Sequence, residues 1–260
     1  MPAETRLFLC RSDNYGVLLR DPDSGATAAI DAPEVAPIEA ALKATGWKLT
    51  DILVTHHHAD HTDGIQALKD KYKCRVVAPA AEASKIPAVD ETVREGDRVH
   101  VGSLEAQVIE TPGHTAGHIS YFLPADKLAF VGDTLFSIGC GRVIEGNPEM
   151  MWNSLLKLRA LPDDTRMFCG HEYTEANLRF AAVVEPRNSA IMDYVKRAAA
   201  LRAEGAPTLP STIGLEKRVN PFLRSRHEDV KSAAEYRAGR SLPTPVAVFA
   251  EIRSWKDGFR

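Results

Sequence analysis

Thr55-His56-His57-His58-Ala59-Asp60-His61, directly after the apolar run Ile52-Leu53-Val54, is the stretch whose reading decides the fold. Of the nine histidines in the chain, four fall between positions 56 and 61. In extended backbone the side chains at i and i+2 share a side, so His56 and His58 converge while His57 points away. Asp60 and His61 come where the strand ends and the chain turns toward a helix marked by Ile65, Leu68 and Tyr72. They can therefore face the same cavity from another angle and hold a second ion. Imidazoles with a carboxylate suit zinc or iron(II) rather than calcium or magnesium. A chance histidine tract or a tag-like scavenger would be expected at a chain end and without Asp60.

Three later positions have matching placement. His114 lies in Thr111-Pro112-Gly113-His114, Asp133 in Phe130-Val131-Gly132-Asp133, and His171 in Phe168-Cys169-Gly170-His171. Each follows an apolar strand and a glycine, which puts it at a strand end where backbone can approach closely. Ligands at successive strand ends line one rim of a sheet, a common place for active sites. One ion cannot use five histidines and two aspartates, but two ions can if Asp133 bridges them. By contrast, His100 and His227 read as ordinary residues. His118 is expected to be ordinary too, with support of a ligand as the alternative, and His57 either positions a neighbour or caps the turn.

Working outward, the first two-thirds alternates strands and short helices. Val17-Leu18-Leu19 and Ala28-Ala29-Ile30 flank the turn signal Asp21 to Gly25, which predicts a hairpin. Helical spacing runs from Pro33 to Thr45 and stops at Gly46; strands follow at 52–54, 75–78, 107–109, 119–123, 128–131 and 166–169. Met150 to Leu161 is helical, with Trp152 and Met150-Met151 on its core face. After about residue 172 the texture becomes helical: 175–184, 188–204, 227–239 and 244–256. Pro207 to Arg226 fits no period. The expected organisation is α+β, with a metal-binding sheet domain over 1–172 and a smaller all-α domain over 173–260.

Composition narrows the function classes. Lys+Arg 32 against Asp+Glu 35 gives a net charge of −3, without the basic excess that nucleic acid or an anionic membrane surface would want. No run approaches 18 apolar residues, and Met1 to Arg6 has no apolar stretch, so a cytoplasmic protein is expected. Cys10, Cys74, Cys140 and Cys169 are widely spaced and expected to be reduced, and Cys140 and Cys169, beside the site loops, read as packing residues rather than nucleophiles. No Gly-x-Ser-x-Gly elbow offers a serine nucleophile. A purely structural zinc site would use a closed, cysteine-rich set, which this is not.

THHHADH, PGHTAGH, VGDTLF and CGHEYT stand in the order and spacing of the metallo-β-lactamase superfamily, and the chain resembles glyoxalase II, hydroxyacylglutathione hydrolase, within it. The resemblance runs over essentially the whole chain, including Asp13-Asn14-Tyr15, the Gly139-Cys140-Gly141-Arg142 loop and Asn220-Pro221-Phe222-Leu223-Arg224. It implies an αββα sandwich followed by the helical domain. It also implies a ligand scheme: His56, His58 and His114 for one divalent ion, Asp60, His61 and His171 for the other, with Asp133 bridging. Zinc is the first expectation for the pair, with iron or manganese as alternatives. Asp133 stands where many metallo-β-lactamases have cysteine, which argues against antibiotic hydrolysis.

For substrate, the resemblance implies S-(2-hydroxyacyl)glutathione, S-lactoylglutathione above all, cut by a metal-bridging hydroxide with Asp60 and Asp133 as catalytic carboxylates. Tyr173, Arg253 and Lys256 match the glutathione-binding pattern, and Arg142 stands where the family has Lys or Arg. Ile144 replaces a tyrosine found in some members, which removes one expected hydrogen bond. The i, i+3 spacing alone would make Arg253 and Lys256 a solvated surface pair; the resemblance makes them, with Arg142, a clamp for the glycine carboxylate. A monomer is expected. The main alternative is a glutathione persulfide dioxygenase of the same fold with one iron; a lactonase or nuclease comes third.

Overall fold

Residue-by-residue alternation in the short apolar runs sorts their side chains to two faces, and the computed structural model, which describes residues 1–259, places each run accordingly. The first sheet holds β1 (Glu4–Cys10), β2 (Asn14–Arg20), β3 (Thr27–Ile30), β4 (Asp51–Leu53), β5 (Arg75–Pro79) and β6 (Glu91–Val93), adjacent in that order. The β2–β3 hairpin forms as expected, with Val17 opposite Ile30 and Leu19 opposite Ala28. Beyond β3 the strands run parallel. Their crossovers carry α1 (Val35–Thr45), the short α2 (Ala59–Thr62) and α3 (Ile65–Tyr72).

The second sheet begins with β7 (Arg98–Val101), β8 (Leu104–Glu110), β9 (Ile119–Leu123) and β10 (Leu128–Phe130). A small hairpin, β11 (Leu135–Phe136) and β12 (Gly139–Cys140), and α4 (Pro148–Arg159) separate these from β13 (Arg166–Phe168), which pairs parallel with β10. Asn147 caps α4 by accepting from the Met150 N–H, and Pro148 fills the first helical position, where no N–H is needed. The remaining helices are α5 (Thr174–Val184), α6 (Ser189–Ala203), α7 (Ile213–Val219), α8 (Glu228–Ala238) and α9 (Pro245–Asp257). The segment 207–226, which has no period, contains α7 and β14 (Ser211–Thr212); β14 joins β13, so the helical tail also lends one short strand to the second sheet. Strands β6 and β7 carry no strong apolar signal because they are edge strands with one face toward solvent, while β1, also at an edge, holds the run Leu7 to Cys10.

Four layers result. Leu18, Ala29, Ile52, Val54 and Val76 pack outward against Ile38 and Leu42 of α1 and Ile65 and Leu68 of α3. Their chain neighbours Val17, Leu19, Ile30, Leu53 and Val77 face inward, meeting Val108, Tyr121, Phe130 and Phe168 of the second sheet. On the far side, Phe122, Val131 and Met167 join Trp152 and Leu155 of α4 with Phe180, Phe222, Phe249 and Ile252 of the helical region. This is an αββα sandwich with a helical C-terminal part. No helix among the described residues is long and apolar enough to cross a membrane.

Candidate metal centre and adjoining cavity

Strand ends meet at one rim. Tyr15 N donates to Gly170 O at 2.8 Å, drawing the start of β2 against the loop after β13, and Gly170 N donates to Gly132 O at 2.9 Å. The loops after β4, β8, β10 and β13 thereby bring all seven ligand-type side chains together. The donor atoms of His56, His58 and His114 lie within 4.8 Å of one another, as do those of Asp60, His61 and His171. Asp133 sits between the groups: its carboxylate is 3.4 Å from His61 Nε2, 3.5 Å from His114 Nε2 and 3.3 Å from His171 Nε2.

This donor set fits a pair of divalent ions. Among the described residues, six buried side-chain polar atoms lack a hydrogen-bond partner, and three of them, His56 Nε2, His61 Nε2 and Asp133 Oδ1, are in this cluster. Buried polar atoms are rarely left so, and orphaned lone pairs aimed at one point are what cations satisfy. Burial pushes the His56 imidazole well below its ordinary value, and those of His58 and His114 below it, which keeps them neutral and able to donate a lone pair. At His61 and His171 burial also acts downward, but carboxylates outweigh it: Asp133 and Asp31 raise His61, and Asp133 with Asp60 pushes His171 up to about 10. Asp133 is buried yet held well below the usual carboxylate range by His61 and His171, so the site demands positive charge.

An outer ring, only partly visible in the sequence, fixes these ligands. His61 Nδ1 lies 2.8 Å from Asp31 Oδ2, and His171 Nδ1 lies 2.9 Å from Asp13 Oδ1. The His114 Nδ1 lies 2.9 Å from the Arg142 carbonyl, and Asn14 Nδ2 donates to Asp60 Oδ2 at 3.1 Å. Such partners set the tautomer and aim the other ring nitrogen at the centre. His118 belongs to this ring: Asp133 N donates to its Nε2 at 3.0 Å, and its Nδ1 faces Thr111 and Thr134 hydroxyls. His57 does point away; its Nδ1 and backbone N–H both meet Glu82 Oε2, at 2.8 and 2.7 Å. Asp31 stands at a strand end like the ligands, which was the available signal for it. Glu82, buried in a loop and tied also to Gly117 N, gave none.

Beside the cluster opens a cavity of about 580 Å³ lined by His58, Asp60, His114, Asp133 and His171 and by Arg142, Tyr173, Arg253 and Lys256. Ile144, half exposed, is at its wall. Tyr173 stacks on His171, with centroids 4.8 Å apart and planes 3° from parallel. Arg253 is not a solvated surface residue: only 7% exposed, it donates from Nη1 to the Cys140 carbonyl at 2.8 Å and pairs with Asp257 at 3.0 Å. With Nε also on Asp257 and Nη1 also near Cys140 Sγ, one Nη2 N–H at most is left for a ligand. Lys256 Nζ donates to Ala176 O at 3.2 Å. Cys140 and Cys169 are buried, and burial pushes their thiols up, to about 11 and about 12, so neither is a nucleophile. A larger cavity, about 670 Å³, lies in the helical part between Val183, Tyr236 and Trp255, but its charged groups pair among themselves or with neighbours and no ligand cluster adjoins it.

The comparisons agree with this architecture. A family model described as metallo-beta-lactamase superfamily matches residues 16–171, and one described as hydroxyacylglutathione hydrolase C-terminus matches residues 172–259. A protein of Rhodopseudomonas palustris strain BisA53 named hydroxyacylglutathione hydrolase is 56% identical over 257 residues, 99% of either chain. One of the same name from Mesorhizobium japonicum is 54% identical over 259 residues, 100% of both chains. Among solved structures, the crystal structure of ETHE1 from Myxococcus xanthus is similar with a TM-score of 0.67 and 27% identity, covering 97% of this chain and 98% of that one. The chain therefore belongs to the hydroxyacylglutathione hydrolase family of the metallo-beta-lactamase superfamily.

Proposed function

We infer that the chain hydrolyses glutathione thioesters of 2-hydroxy acids, S-lactoylglutathione in the first place, to glutathione and the free acid. One observation carries the reading: a single cavity is lined by five of the seven ligand-type side chains and by Arg142, Tyr173, Arg253 and Lys256. His56, His58 and His114 would hold one divalent ion and Asp60, His61 and His171 the other, with Asp133 shared; zinc is the first candidate, then iron or manganese. When bound, such a pair supplies water acidic enough to be nucleophilic near neutral pH and a positive field over a carbonyl.

The chain's own groups supply the rest. Asp60 is ionised, held low by His171 and by the Asn14 amide, and orients groups at the cavity floor. Arg142, Arg253 and Lys256 offer cations to the glutathione carboxylates, Arg253 with a fork already fixed by Cys140 and Asp257. Tyr173 is held flat on His171 and lines the wall with a hydroxyl. The departing thiolate has a conjugate acid of pKa roughly 8.5 and needs no acid beside it. One chain supplies every residue named, so the monomeric reading requires no second copy. The cytoplasmic reading is kept with it: all four thiols are buried and none is bridged, the state a reducing compartment maintains.

The rival, an oxidation of glutathione persulfide on one iron, would leave one of the two ligand groups without use. The test is S-lactoylglutathione hydrolysis by protein with two metal equivalents per chain. Activity should vanish on chelation, return with metal, and be lost in Asp133→Ala. Metal-replete protein that leaves the thioester intact, or active protein with one ion and oxygen uptake on the persulfide, would overturn the reading.

A further inference from the structure

Ile138 is a β-branched residue in left-handed backbone, with φ 57, at the tip of the β11–β12 hairpin. That conformation is uncommon for any residue with a Cβ and least suited to isoleucine, so surrounding structure must impose it. The surroundings are unusually specific. Ile138 is fully buried in the cluster formed by Leu178, Ile191, Tyr194 and Val219. Its N–H donates to Glu216 Oε2 at 2.7 Å. Asn220 Nδ2 reaches Gly139 O at 2.9 Å, Phe136 O at 3.2 Å and Glu216 Oε2 at 3.0 Å, and Asn177 Nδ2 donates to Ser137 O at 3.1 Å. The Tyr194 hydroxyl meets Ser137 Oγ at 2.9 Å. Glu216, Asn220 and Tyr194 are themselves buried, and all come from helices of the C-terminal part or, for Asn220, from the residue capping one.

The hairpin so gripped is a wall of the cavity. Phe136 and Cys140 line it, the Cys140 carbonyl takes the Arg253 hydrogen bond, and Arg142 follows two residues on. Of the gripping side chains Asn177 lines the cavity, whereas Glu216, Asn220 and Tyr194 do not; packing of a core alone would be met by apolar residues at those three positions. Three buried polar side chains converging on one strained turn instead fix its backbone to within a hydrogen bond's tolerance.

We propose that Glu216 and Asn220 are positioning residues for the thioesterase reaction, setting the backbone of the Phe136–Cys140 wall and hence the seat of the glutathione moiety. The proposal rests on the thioesterase reading above and extends it to residues remote from the chemistry. Deleting the Asn220 amide should move the wall and leave the metal centre in place.

The experiment compares S-lactoylglutathione with S-lactoyl-N-acetylcysteamine, a thioester lacking both glutathione carboxylates. In Asn220→Ala, KM for the glutathione thioester should rise roughly tenfold. Its kcat, the metal content and the kinetics on the truncated thioester should stay within about twofold. Glu216→Ala should behave alike, whereas Glu216→Gln, which still accepts from the Ile138 N–H, should restore the KM. If Asn220→Ala does not fold, Tyr194→Phe decides, with a KM rise of about threefold for the glutathione thioester alone. Equal losses on both thioesters, or an unchanged KM in folded Asn220→Ala or Tyr194→Phe, overturns the proposal. Wild-type protein inactive on S-lactoylglutathione would instead remove the reading beneath it.

Discussion

Arg253 shows how little helix spacing says about a side chain's surroundings. Its spacing from Lys256 says only that the two share a helix face, yet the guanidinium is buried, donating to the Cys140 carbonyl and paired with Asp257. Reversing its charge would place a carboxylate against that carbonyl. Arg253→Glu should therefore raise KM for S-lactoylglutathione by tenfold or more, with metal per chain unchanged. Arg253→Lys keeps the cation but loses the fork, and a rise of about threefold is expected. Steady-state kinetics with elemental analysis checks both, and an unchanged KM in Arg253→Glu would refute the clamp. Asp133 makes the complementary point: an aspartate after a glycine reads as easily as a turn or helix cap, and its significance comes from three imidazoles within 3.5 Å.

At the scale of elements, the site depends on strand ends where glycine lets ligand loops close up. A Cβ on Gly170 would stand 2.3 Å from Asp133 Oδ1 and 2.7 Å from His61 Cε1, and one on Gly132 would stand 2.6 Å from His118 Nε2. Gly170→Ala should thus retain its circular-dichroism spectrum while losing most of its tightly held metal and at least a hundredfold in hydrolysis. Full metal retention in that variant would contradict the seven-ligand centre. Helix α7 gives a different prediction. Burial pushes the Glu216 carboxyl up to about 7, against 4.5 for an ordinary glutamate, even with Ser211, Ile138 N–H and Asn220 donating to it. A raised folded value means the fold favours the protonated form. Its stabilising contribution is complete below about pH 4.5 and is lost as pH rises through about 7. Metal-free wild type should lose about 3 kcal/mol across that window relative to Glu216→Gln, which cannot titrate. Urea unfolding of both at pH 5 and pH 8 checks it, and parallel pH profiles would refute it.

For the whole molecule, the largest apolar cluster ignores the change of texture near residue 172. Phe122, Val131, Met151 and Trp152 pack with Phe180, Phe222, Phe249 and Ile252 in one continuous core, with the Trp152 and Phe249 ring centroids 5.9 Å apart. Removing 173–260 would strip that face of the second sheet. Exposed apolar area on this scale exceeds what an isolated sheet tolerates. A fragment ending at residue 172 should accumulate as aggregate or bind a hydrophobic dye strongly; a soluble fragment retaining two metal equivalents would show that the halves stand alone.

The periodicity of short runs located most strands and all the long helices, because alternation and helical spacing are local properties of buried faces. The metal-ligand types were legible for the same reason: His56, His58, His114, Asp133 and His171 each follow an apolar strand, and a sheet aligns its strand ends at one rim. Edge strands β6 and β7 and the segment 207–226 were not legible, since an edge needs a partner to be a strand and α7 with β14 takes its place only against β13. Equally hidden were Glu82 and the grip of Glu216 and Asn220 on the turn around Ile138. Hydrogen bonds between residues 25 to 84 positions apart leave no local pattern. The sequence by itself determined which side chains could bind cations; only the closing of the sheets and helices on one another decided how each is aimed, because aim is set by partners distant in the chain.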